Sequence, residues 1–206
     1  MSVIKKKIFA IGTLCLVCII LIFLLTFAYK KLKFGNNESN KSAEEIEEYI
    51  LNMNSYTAEL EVTVNSNKNT SKYVLKQEYF SNNYSKQTVV KPENIEGTEI
   101  IYKDGNMVIN NSKLNLNKVY NNYPYLSDNV LWLNFFVEEY KNCKDNAKVY
   151  EENNEVVIEI SIDNNKYLTN EKLYLEQGTG KPKKIEISDD NKNTTVYILY
   201  KEININ

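Results

Sequence analysis

The chain has 206 residues and a formal net charge of −2, with 25 basic residues against 27 acidic ones. Every basic residue is a lysine, since the sequence holds neither arginine nor histidine. That composition excludes His-based triads and His-based zinc sites. It also removes the bidentate arginine clamp and offers no basic stripe for nucleic acid.

At the N-terminus, Lys5, Lys6 and Lys7 abut an uncharged apolar run from Ile8 to Tyr29, and Lys30, Lys31 and Lys33 follow it. About 20 such residues in a helix cross the hydrocarbon core of a bilayer. The expected organisation is a cytoplasmic tail over 1–7, a single-pass transmembrane anchor over 8–29, a linker over 30–41 and an extracytoplasmic domain over 42–206. A cleaved signal has a shorter apolar region before a small-residue site, and Thr26-Phe27-Ala28 followed by lysines matches it weakly. A lipidated cysteine fits no better at Cys15, after Gly12-Thr13-Leu14, or at Cys18, after Cys15-Leu16-Val17. The positive-inside rule is nearly balanced between the two flanks, but the short lysine-led tail favours a cytoplasmic N-terminus.

Beyond the linker, Ser42-Ala43-Glu44-Glu45 reads as a capping box. Ile46, Tyr49, Ile50 and Met53 then form the apolar stripe of a helix. Tyr56, Ala58, Leu60, Val62 and Val64 alternate with polar residues, as in a half-buried antiparallel strand. Strands are also expected over Tyr73–Phe80 and Tyr84–Val90, the latter interrupted by Lys91-Pro92-Glu93-Asn94. Thr98–Lys103, Asp104-Gly105 and Asn106–Asn110 make the clearest hairpin, because Asp-Gly suits a type I′ turn. Four more strands are expected at Val156–Ile162, Leu173–Glu176, Lys184–Ser188 and Thr195–Ile203. About nine or ten strands at this spacing imply a mainly β, α+β domain built on an antiparallel sheet or barrel.

One segment breaks the alternation. Ser127 or Asp128 is expected to cap a helix running through Tyr140, with Val130, Trp132, Leu133, Phe136, Val137 and Tyr140 on one broad arc. Trp132, Phe136 and Tyr140 are then core. Leu131 and Phe135 fall off the arc and are the candidate contacts for a partner or ligand. Cys143 is expected to be a partly buried residue near the helix end, although Lys141 and Lys144 are close enough to favour a thiolate.

The strings Tyr56-Thr57-Ala58-Glu59-Leu60, Tyr79-Phe80, Lys91-Pro92-Glu93 before Tyr102-Lys103-Asp104-Gly105, and Lys181-Pro182-Lys183-Lys184-Ile185 carry a resemblance over Ser42 to Ile205. In this order of elements the chain resembles the LolA and LppX superfamily, and more narrowly the clostridial germination lipoproteins related to GerS. The resemblance implies a strongly curved antiparallel sheet, or half-open barrel, with covering helices. It implies a non-enzymatic protein on the outer face of a Gram-positive membrane, whose partner is an envelope protein such as the cortex amidase CwlD. The lipidated cysteine of that family is replaced here by the apolar run.

Two other readings compete. An apolar LolA-like cavity would make the chain a lipid or lipoprotein carrier or sensor. An enzyme would need a carboxylate pair, but Glu138 and Glu139 are adjacent on a helix and do not face each other. Asp189 and Asp190 sit in a turn. The sequence therefore points to no catalytic residue, no cofactor and no metal.

Overall fold

The computed structural model describes residues 41–81, 83–123, 129–162 and 168–206. The expected tail, anchor and nearly all of the linker lie outside these residues, as do the expected caps Ser127 and Asp128. No helix among the described residues is long and apolar enough to cross a membrane.

Helix α1 (Ala43–Leu51) begins as expected. The Ser42 Oγ accepts from the Glu45 N–H at 3.2 Å, and the Glu45 carboxylate accepts from the Ser42 N–H at 2.9 Å. Such a cap contributes about 1 kcal/mol by satisfying otherwise orphaned donors. Ile46 and Ile50 are fully buried. Met53 lies beyond the helix, which ends at Leu51. Gly180 seats α1 on the turn it touches. Its φ is +75°, and a Cβ there would meet the Tyr49 ring at 3.0 Å.

Eleven strands follow: β1 (Ser55–Asn65), β2 (Thr70–Phe80), β3 (Tyr84–Lys91), β4 (Glu99–Lys103), β5 (Asn106–Asn111), β6 (Leu116–Tyr120), β7 (Lys148–Glu152), β8 (Glu155–Ser161), β9 (Asn170–Glu176), β10 (Pro182–Ser188) and β11 (Thr194–Ile205). They form one antiparallel sheet in the order β6-β5-β4-β3-β2-β1-β11-β10-β9-β8-β7. The first and last strands pair at its centre, and β6 and β7, neighbours in sequence, are its two ends. Asp104 and Gly105 have φ of +50° and +79°, as the type I′ turn between β4 and β5 requires.

Bulges hold the inner face in phase along the long strands. Glu59 pairs with Glu202 and Leu60 with Tyr200, so Lys201 is the extra residue. Val196, Ile198 and Tyr200 are buried before it and Ile203 after it, a shift from even to odd positions. A bulge both flips the phase and increases local twist. The inner face of the sheet, α1 and the mid-chain segment share one core cluster.

Three expectations need correction. The strands not foreseen are β6 and β7, the two edges, where few side chains are buried and alternation carries no signal. The mid-chain helix α2 spans Leu133–Asn142 and does not begin near Ser127 or Asp128. Asn129 explains the late start: its Oδ1 accepts from the Leu131 N–H at 3.1 Å, and its carbonyl accepts from the Trp132 N–H at 3.1 Å. That local turn competes with a helix, and Trp132 is left extended, at φ −100° and ψ 133°. Leu131 and Trp132 therefore lie outside the helix, and its 3.6-residue period does not place them.

Candidate partner-binding face

The segment from Asn129 through α2 connects the two edges of the sheet and packs on its inner face. A buried polar relay fixes where it lands. The Tyr56 hydroxyl donates to Gln77 Oε1 at 3.0 Å and accepts from the Leu133 N–H at 3.2 Å. Gln77 Nε2 donates to Gln87 Oε1 and to the Leu131 carbonyl, each at 3.0 Å. Tyr56, Gln77 and Gln87 come from three adjacent strands, β1 to β3, and all are buried. The relay satisfies an orphan donor at the start of α2 and the carbonyl of the turn before it, which burial would otherwise make costly. Burial also holds the Tyr56 hydroxyl well above its ordinary pKa, so it stays a protonated donor.

At the far end, the Tyr140 hydroxyl donates to Glu47 Oε1 at 2.7 Å, and Lys144 lies 3.4 Å from the same oxygen. This ties α2 to α1. Cys143 caps the C-terminus of α2, half-exposed and free of any disulfide.

Trp132, Phe136 and Tyr140 are 4%, 2% and 3% exposed. The Trp132 ring sits 6.4 Å from that of Tyr56. Leu131 and Phe135 are only half-buried, on the border of the core. The two candidate contacts thus both lie at the rim of the core, one in the Asn129 turn and one in the first turn of α2. Glu138 is exposed and bridges Lys141 at 3.1 Å.

Sequence reasoning missed the relay and one further residue, Glu171. Gln77 occupies the phase of Leu75, Gln87 that of Val89, and Glu171 that of Leu173. A polar residue on an apolar phase was the available signal. Glu171 is 1% exposed, and one of its carboxylate oxygens is buried with no hydrogen-bond partner. Burial, with the Glu139 charge adding to it, pushes its carboxyl up to about 8.

Among the described residues, no group of three His, Cys, Asp or Glu side chains could hold a metal ion. Asp189 is spent within its own turn, accepting from Asn191 and Asn193. The arrangement presents a part-apolar rim at Leu131 and Phe135.

A family model for YdcC-like sporulation proteins matches residues 12–206. The chain belongs to that family. Among solved structures it is similar to the GerS lipoprotein of Clostridioides difficile, determined in complex with the CwlD amidase. The identity is 27% over 77% of this chain and 91% of that one, with a TM-score of 0.50. A conserved protein of Thermus thermophilus shares the fold at 9% identity, covering 81% and 88% of the two chains with a TM-score of 0.52. A LolA superfamily protein of Nitrosomonas europaea also matches, at 12% identity over 81% and 94%, with a TM-score of 0.39. No curated protein sequence matches the chain. The sporulation family and the likeness to GerS agree with the narrower resemblance drawn from the sequence.

Proposed function

We propose that this chain is a non-enzymatic, membrane-anchored accessory factor of the bacterial cell envelope that binds a cortex amidase during sporulation or germination. The observation that carries the reading is the similarity to GerS, a protein structurally characterised with an amidase bound. Membership of a sporulation family supports it. The apolar run over 8–29 supports a single-pass anchor with the domain on the extracytoplasmic side. In this reading the eleven-stranded sheet curls into a half-open barrel of the LolA type, with α1 and α2 covering its mouth. The relay-held rim at Leu131 and Phe135 meets the amidase.

The test is binding of a CwlD-type amidase to the full-length chain in mild detergent. Leu131→Asp and Phe135→Asp should weaken binding about tenfold or more, since a charge would enter a contact that must be dry. Both residues border the core, so thermal melts accompany the titrations. Trp132→Ala, which opens a cavity in the core, should cost about 3–5 kcal/mol. If the two Asp variants lose as much stability as Trp132→Ala, the rim is interior and the site assignment fails.

A further inference from the structure

The two edges of the sheet are built differently. On β7, Lys148, Glu151 and Glu152 are exposed, the charged kind of edge that resists pairing with other chains. On β6, Val119 is 58% and Tyr120 44% exposed, and Leu114 in the preceding turn is 50% exposed. These are three of the four large exposed hydrophobics among the described residues; the fourth is Phe80.

The register shows what β6 offers. Val119 pairs with Val108, and Val108 with Ile101, so an apolar row crosses the outer face of β4 and β5 and stops at the sheet edge. Lys118 and Tyr120 pair with Ile109 and Met107 on the opposite face. Beyond β6 no described strand continues the ladder, so alternate N–H and C=O groups face away from β5. Lys86 and Lys113 on this flank are neutralised by Glu99 at 2.6 Å and Glu96 at 2.9 Å. Lys118 makes no ion pair among the described residues.

We infer that β6 is a strand-addition site for an extended segment of a protein partner in which apolar and acidic residues alternate. The backbone of such a segment completes the ladder. An apolar side chain opposite Val119 extends the Ile101–Val108–Val119 row, and a carboxylate next to it in sequence meets Lys118 on the other face. The site lies on the sheet edge and uses neither Leu131 nor Phe135, so it stands apart from the amidase contact proposed above.

The test uses the full-length chain in mild detergent and a fluorescein-labelled octapeptide of alternating valine and glutamate. Fluorescence anisotropy should show saturable binding. Val119→Lys should weaken it about tenfold or more, as should lysine in place of glutamate in the peptide. Glu151→Lys on β7 should leave it within about twofold. Amide exchange should slow at Leu116–Tyr120 when the peptide binds. A thermal melt of Val119→Lys matching the parent shows that the variant folds. No saturation by about 1 mM peptide, equal binding by Val119→Lys, or protection falling on β7 would overturn the proposal. So would a dimer of the chain that protects Leu116–Tyr120 without peptide.

Discussion

The outer face of the sheet has two flanks, and they treat the same kind of residue in opposite ways. On the β7–β10 side, Val157 points away from the core cluster yet is fully buried, because Tyr150 and Tyr174 pair with it from either side. Those tyrosines are themselves tethered, Tyr150 to Glu159 at 3.2 Å and Tyr174 to Glu186 at 3.0 Å. The Lys184 ammonium sits 3.9 Å from the Tyr174 ring centroid. On the β2–β6 side, Val119 also faces outward but sits on the edge strand with a neighbour on one side only, and is left open. The first flank is finished as a closed surface and the second is not, so β-propensity at an outward position says nothing by itself about whether the face is solvated.

Substitutions can break this contrast. The largest effect is expected from Val157→Lys. An ammonium enclosed under two tyrosines is left unpaired, and urea unfolding should show a loss of more than about 4 kcal/mol. A small loss would mean that the tyrosine cover is loose.

Glu171, on the inner face of β9 in the same flank, gives a pH-dependent effect. Its carboxyl is held near 8 when folded, against roughly 4.3 for a free glutamate. A group that binds its proton more tightly in the folded state makes stability fall as pH rises between those two values. Its contribution is full below about pH 4.3 and lost above about pH 8. Glu171→Gln should remove that slope and recover roughly 5 kcal/mol at pH 9, with little gain at pH 4. Parallel unfolding curves for parent and variant at both pH values would show that the carboxyl finds compensation.

The smallest effect is expected at Val119→Lys, which should shift stability by no more than about 0.5 kcal/mol. A loss approaching that of Val157→Lys would erase the distinction between the flanks.

Much of this architecture was legible in the sequence, for identifiable reasons. The strands with a buried face, such as Tyr56 to Val64 in β1, announce themselves by alternation, and the α1 cap by Ser42 and Glu45. The edges β6 and β7 carry no such signal, because burial on one face is what writes the pattern and edges bury little. The Asn129 turn was hidden for another reason. Its side chain captures the Leu131 N–H locally, and helical periodicity cannot register that competition. For the candidate rim, Leu131 and Phe135 were picked out by an arc that in fact begins only at Leu133. The relay that holds the Leu131 carbonyl and the Leu133 N–H was visible solely as glutamines on apolar phases, whose partners lie on other strands.

The central claim, that the relay-held rim is the amidase contact, is tested most directly by hydrogen exchange on the full-length chain with and without a bound CwlD-type amidase. The account predicts slowed exchange from Val130 to Phe136, with β7 and the outer face of β8–β10 unchanged. Protection confined to those outer strands, or no complex at all, would contradict it.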